Sequence, residues 1–311
     1  MSGRFKKVIA LVMSTILLAS CSDWPSGLET ASTAPELMPE TTAASEVPAT
    51  ATPIPTPTTR PVPKFPEFDP DYTSIAPALG YKMRSLTFFR DGNSIQARIT
   101  YPEGEGPFKT IIISSGLYAH LGRYSGKALR YSDYGYAVIE FHFQNGDPPP
   151  GYADPEYLGD FIYEQVLDLY AIIDSTEYFP ELDRSNIYLY GHSMGGLVSA
   201  YAGTLRQTES KGLLLVDPSF YAADIMNFEN EQTITTDIYP LISRCYIPVV
   251  IITGTEGSFG EDPHFFDDAR EALPDCEYVV IEGADHHMDG EASDKVVDSS
   301  VEVMAAWDAR E

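Results

Sequence analysis

Residues 186–205 run Asn186-Ile187-Tyr188-Leu189-Tyr190-Gly191-His192-Ser193-Met194-Gly195-Gly196-Leu197-Val198-Ser199-Ala200-Tyr201-Ala202-Gly203-Thr204-Leu205. Asn186 to Tyr190 is a short, nearly continuous apolar run, the signature of a strand buried on both faces. Leu197 to Leu205 reads as a helix. Between them, Gly191 and Gly195 flank a serine, and glycine is the residue that lets backbone and neighbouring elements crowd a tight turn. The segment is therefore predicted to be strand, sharp turn, helix, with Ser193 standing at the turn. A helix starting just after Ser193 also aims backbone N–H groups at any negative charge that develops there.

Outward from this segment, the same kind of apolar run recurs at Thr110 to Ser114, Tyr136 to Phe143, Gly212 to Val216, Pro248 to Thr253 and Tyr278 to Glu282. Amphipathic segments alternate with these runs. Ile162, Val166, Leu169 and Ile173 share one stripe, and Val297, Val301, Met304 and Trp307 share another near the end of the chain. Upstream, Ser85 to Phe89 leads through Asp91-Gly92, a dipeptide that tolerates positive φ, into Ile95, Ala97, Ile99 and Tyr101 alternating with polar residues. That pattern predicts an antiparallel hairpin with one wet face. Alternation of buried strand and amphipathic helix predicts a mostly parallel, twisted sheet of about eight strands with right-handed crossovers and helices on both faces. Ligands in such a sheet belong at the carboxyl ends of the strands.

The run Gly191 to Gly196 resembles the nucleophile elbow, G-x-S-x-G, of the α/β-hydrolase superfamily, and the element order is similar over nearly the whole of residues 65–311. The resemblance implies an α/β-hydrolase fold and a serine hydrolase of the esterase or lipase type, with Ser193 as nucleophile and no cofactor. A serine hydroxyl is a weak nucleophile at neutral pH and needs an adjacent base. The chain has six histidines, and the family places its base after the last strand, which points to His286 in Gly283-Ala284-Asp285-His286-His287, with His287 as its neighbour and rival. His192 is read as packing, and no spacing among the histidines suggests a metal site.

The family usually takes its acid from the loop after the penultimate strand, here Gly254 to Pro263. The common spacing would put aspartate at 257, where this chain has Gly257. Glu256 is the first choice, one position early and one methylene longer. Asp262 is its rival, although an Asp before Pro263 also reads as the N-cap of a helix running to about Leu273. Glu261 and Asp217 remain open. Asp217 occupies a position some family members use, but it also reads as the cap of an Asp-Pro turn. The resemblance further implies an oxyanion hole built from the N–H groups of Met194 and Leu117, with Ser115 standing where a histidine is usual. Tyr118, Tyr124 and Phe220 are candidate pocket residues. Ester hydrolysis is the favoured activity; a peptidase or amidase with the same triad, an acyltransferase, and a catalytically degenerate binding protein on this scaffold are the alternatives.

Composition narrows the partners. The formal charge of −26, from 46 acidic and 20 basic residues, repels phosphate backbones, so nucleic acid is excluded as a partner; the small-molecule or lipid-like ester expected instead is what the resemblance implies. Arg4, Lys6 and Lys7 precede an apolar stretch from Val8 to Ala19, which reads as an export signal, and Leu18-Ala19-Ser20-Cys21 resembles the bacterial lipoprotein lipobox. Residues 1–20 are thus expected to be removed. Cys21 is expected to be lipidated, holding an extracytoplasmic protein at a bacterial membrane, since each buried methylene of an acyl chain contributes roughly 0.8 kcal/mol. Residues 21–64 are rich in Thr, Pro, Ala and Ser and are expected to form a disordered linker. Export permits disulfides, and Cys245 and Cys276 each precede an apolar strand at the same expected end of the sheet, so a Cys245–Cys276 disulfide is predicted.

Overall fold

The computed structural model describes residues 73–76, 81–146, 155–225 and 238–310; the signal segment, Cys21 and the linker lie outside them. Among the described residues nine strands form one sheet: β1 Thr73–Ala76, β2 Tyr81–Arg90, β3 Asn93–Tyr101, β4 Phe108–Ser114, β5 Ala137–Phe141, β6 Leu182–His192, β7 Gly212–Val216, β8 Val249–Gly254 and β9 Cys276–Ile281. Their order is β1-β2-β3-β5-β4-β6-β7-β8-β9. The first three strands are antiparallel, β3 meets β5 antiparallel, and every pairing from β5 onward is parallel. The hairpin turn is Asp91-Gly92, with both residues at positive φ (54° and 80°), as a two-residue turn matched to strand twist requires. The one strand beyond the expected eight is β1, a four-residue edge strand with no apolar alternation to announce it.

Helices α1 Ser125–Asp133, α2 Pro155–Ser175, α3 Met194–Leu205, α4 Ile238–Ile242, α5 Asp267–Ala272 and α6 Glu291–Asp308 complete the described elements of note. Because side chains alternate across each strand, Ile111 and Ile113 of β4, Tyr188 and Tyr190 of β6 and Leu214 and Val216 of β7 share one face, where they join residues of α1 and α6 in a single buried cluster. Trp307 of α6 stacks on Tyr188 at 6.4 Å between centroids. The opposite register faces the other layer: Leu213 lies against Gly203 of α3, where an added Cβ would strike its side chain. On this side Arg90, at the end of β2, donates from Nε to Asp168 of α2 (2.7 Å) and from Nη2 to Glu164 (2.6 Å), tying the hairpin to the helix.

Two expectations are corrected here. Cys245 and Cys276 are free thiols. The β8–β9 register sets Cys276 opposite Val249, four residues beyond Cys245, which lies in the turn after α4 with its N–H on the carbonyl of Ile242. Sharing an end of the sheet therefore does not pair them; each thiol donates to a nearby main-chain carbonyl, Cys245 to Ile247 and Cys276 to Glu277. Burial pushes the Cys276 thiol up to about 12, so little thiolate forms at neutral pH. The second correction concerns the helix expected from Asp262-Pro263. Helix α5 begins only at Asp267, after a run of turns, and Phe266 occupies its N-cap position.

Candidate active site

Four loops at the carboxyl ends of β4, β6, β7 and β9 converge. Strand β6 delivers Gly191 beside Ser114 of β4 and His192 beside Val216 of β7. Ser193 then adopts φ 56°, ψ −121°, a conformation an L-residue rarely takes, and α3 starts at the next residue. The flanking glycines permit this: a Cβ on Gly191 would run into the Gly195 carbonyl, and one on Gly195 into the carbonyl of Ser114. The turn is pinned by the Ser193 N–H donating to the Val216 carbonyl (3.0 Å) and by the Ser219 N–H donating to the Ser193 carbonyl (3.0 Å).

Ser193 Oγ lies 3.0 Å from Nε2 of His286, and Nδ1 of His286 lies 2.5 Å from Oδ2 of Asp217. A carboxylate can only accept, so Nδ1 carries the proton, and Nε2 is left as the acceptor for the serine hydroxyl. His286 is 6% exposed and Asp217 is fully buried. His287, the rival base, is exposed, its N–H received by Asp285 at 3.0 Å. A second hydroxyl, Ser219 Oγ, lies 3.3 Å from Ser193 Oγ.

The acid is thus corrected: neither Glu256 nor Asp262 reaches His286. Glu256 is exposed, and it is its main-chain N–H that bonds, to the Ala284 carbonyl. Asp262 is exposed and accepts the His264 N–H (3.0 Å), closing its own turn, while Glu261 accepts the Gly257 N–H (3.1 Å). Asp217, held at φ 43°, collects three donors in addition to burial. Its Oδ1 accepts the Thr253 hydroxyl at 2.6 Å, and its Oδ2 accepts the Phe259 N–H at 3.1 Å together with His286 Nδ1–H. The loop after β8 supplies donors to the acid in place of the acid itself. Asp217 is the candidate left open beside the Asp-Pro cap reading, and its carboxylate bonds Thr253, Phe259 and His286 instead of capping that turn; its adjacency to the end of a buried strand was the available signal.

The loop after β4 lies against the nucleophile, because a Cβ on Gly116 would stand 3.1 Å from Ser193 Cβ. Leu117 follows Gly116 directly, and Met194 is the first residue of α3, where a helix leaves its N–H groups without intrahelical acceptors. Tyr118, at φ 59°, is 46% exposed. Tyr124 and Phe220, expected as pocket residues, are buried in the framework; Phe220 packs edge-on to Phe266. His192 does more than pack: it bonds Tyr124 on one side and the main-chain carbonyl of His286 on the other. Among the described residues no cluster of three His, Cys, Asp or Glu side chains could hold a metal ion.

Residues 105–242, fewer than half of the chain, match the family model described as serine aminopeptidase, S33. That stretch includes Ser193 and Asp217 and stops short of His286. No curated protein matches the sequence. Among solved structures, Est1E from Butyrivibrio proteoclasticus is similar with a TM-score of 0.54 at 16% identity, covering 71% of this chain and 99% of that one. Acetyl xylan esterase 1 from a Thermoanaerobacterium species gives 0.58 at 16%, covering 78% and 88%. An acetyl xylan esterase from a Paenibacillus species gives 0.53 at 19%, covering 76% and 88%. At these identities the likeness is one of fold. The chain has the α/β-hydrolase fold, and the family-model match, taken with the Ser193, His286 and Asp217 geometry, supports a serine hydrolase of that fold.

Proposed function

We propose that this chain hydrolyses carboxylic esters through an acyl-enzyme on Ser193. The observation that carries the reading is the unbroken line from the Ser193 hydroxyl through both nitrogens of His286 to the buried Asp217 carboxylate. Ser193 Oγ attacks the ester carbonyl carbon as His286 Nε2 takes its proton, and the imidazolium so formed is stabilised by Asp217. The N–H groups of Leu117 and Met194 receive the oxyanion, each such donor being worth about 3 kcal/mol of barrier. Collapse expels the alcohol, which leaves with the proton from His286. Water then attacks the acyl-enzyme, gives one proton to His286, and releases the acid as Ser193 recovers its hydrogen.

Support for esters over amides comes from structurally similar proteins that are esterases by name, one of which, Est1E, has been solved with ferulic acid. The aminopeptidase description of the family model favours amide cleavage as the second reading. Fluorophosphonate labelling of the wild type that disappears in Ser193→Ala is the expected result. A matched panel of p-nitrophenyl esters and p-nitroanilides then separates the two readings. Absent labelling overturns the hydrolase, and faster anilide turnover overturns the ester preference.

Export and lipid anchoring through Cys21 are proposed on the sequence alone, from the basic and apolar residues before Leu18-Ala19-Ser20-Cys21. Expression in a bacterial host with labelled fatty acid is expected to label the wild type and leave Cys21→Ala unlabelled; label retained by that variant would refute the anchor.

A further inference from the structure

Three hydrogen bonds run beside the nucleophile without using its hydroxyl. The Gly116 N–H donates to Tyr124 Oη at 3.2 Å, Tyr124 Oη is 2.8 Å from His192 Nδ1, and His192 Nε2 is 2.6 Å from the main-chain carbonyl oxygen of His286. The carbonyl can only accept, so His192 Nε2 carries a proton. In a neutral ring Nδ1 is then the acceptor of the Tyr124 hydroxyl. Burial supports this assignment, driving the His192 imidazole well below its usual range and the Tyr124 phenol up to about 12. Tyr124, His192 and His286 are 6%, 7% and 6% exposed, so solvent competes little for these groups.

Each end of this chain of bonds sits in a different part of the reaction machinery. Gly116 belongs to the loop whose next residue, Leu117, offers an oxyanion donor. The His286 carbonyl belongs to the residue whose ring takes the serine proton. His192 is joined covalently to Ser193. We propose that Tyr124 and His192 are positioning residues, coupling the oxyanion loop after β4 to the backbone of the base histidine and so fixing the separation of donor, nucleophile and base. The assignment rests on the hydrolase reading above for its kinetic consequence and on geometry for its structural one.

The same stretch of chain grips the histidine loop twice more. Lys127 Nζ donates to the Met288 carbonyl at 2.9 Å, and Arg123 pairs with Asp289 at 2.7 Å. Met288 is held at φ 50°, a strained conformation that persists where its surroundings over-determine it. Residues 123–127 thus clamp the loop from His286 to Asp289 from one side, while Asp217 holds the ring from the other.

The test compares Tyr124→Phe, His192→Gln and His192→Phe with wild type. Tyr124→Phe keeps the edge-on packing with Tyr190 and removes only the hydroxyl. His192→Gln keeps an N–H for the His286 carbonyl, and His192→Phe keeps neither bond. With melting temperatures and circular dichroism establishing that each variant is folded, kcat is expected to fall about 10- to 100-fold in Tyr124→Phe, the scale of a 1 Å misplacement, with KM little changed. His192→Phe should lose more than His192→Gln. The downfield proton NMR signal of His286 Nδ1–H, bonded to Asp217, reports geometry whether or not the protein turns over, and it should shift or broaden in the same order. Wild-type kcat and an unmoved signal in folded Tyr124→Phe and His192→Phe would overturn the proposal. A wild type that fails to label with fluorophosphonate would defeat the hydrolase reading instead; the NMR signal alone would then decide the positioning claim.

Discussion

Two neighbouring loops compete for one role in this molecule. The loop after β8 carries three carboxylates, Glu256, Glu261 and Asp262, and all three are exposed. The turn after β7 carries one, Asp217, fully buried and bonded to His286. The richer loop contributes the donors, through Thr253 at its root and the N–H of Phe259, and the poorer turn contributes the acid. Abundance of carboxylates near the expected position therefore decided nothing. A buried charge is tolerable only where hydrogen-bond donors surround it, and the site with those donors is the one that holds the acid.

Removing the charge that the comparison rests on should have the largest effect. Asp217→Asn leaves the volume intact but presents an amide to His286 Nδ1 and disturbs the tautomer, so kcat is expected to drop by about 10⁴. Steady-state rates on an activated ester measure it, and a loss under tenfold would return the role to another carboxylate. One step smaller is Thr253→Val, which preserves shape and deletes the hydroxyl that donates to Asp217 and accepts the Gly260 N–H. A hydrogen bond to a charged group is worth about 1.5–3 kcal/mol, so the same assay should show a loss of about tenfold or more. The smallest change belongs to the crowded loop: Glu256→Gln and Asp262→Asn should each stay within about twofold of wild type, as surface substitutions away from the site do. A thousandfold loss in Glu256→Gln would contradict the geometry.

The strained residues divide along a similar line. Among the described residues, five that are not glycine have positive φ. Asp91 makes the hairpin turn at the far edge of the sheet. Tyr118, Ser193, Asp217 and Met288 lie one in each of the loops after β4, β6, β7 and β9. Strain of this kind costs about 1–3 kcal/mol per residue and survives only where packing and hydrogen bonds impose it. At Ser193 and Asp217 those bonds are the ones to Val216, Ser219, Thr253 and Phe259.

The sheet was largely legible because burial on both faces writes itself along the chain. Gly212 to Val216 matches β7, and Thr110 to Ser114 lies within β4. The elbow at Ser193 was legible for the same reason, as a local change from strand to turn to helix. His286 could be found because the family that the chain resembles places its base after the last strand. The bonds of His192 were not legible, because its sequence neighbours say nothing of Tyr124 or of the carbonyl 94 residues away. The disulfide expectation failed on a related point: strand ends can be aligned by pattern, but register and the turn before β8 decide which side chains meet.

What the chain determined by itself is everything with a short range: period-two and helical patterning, the glycines that a tight turn demands, the serine between them. Which carboxylate faces the imidazole, and what holds the imidazole's backbone, was decided only when β7, β8 and β9 came side by side. That arrangement brings Asp217, Thr253, Phe259 and His286 together from the ends of three strands and the loops that follow them, and hydrogen-bond complementarity in a space closed to water is a property of the assembled site, absent from any one segment.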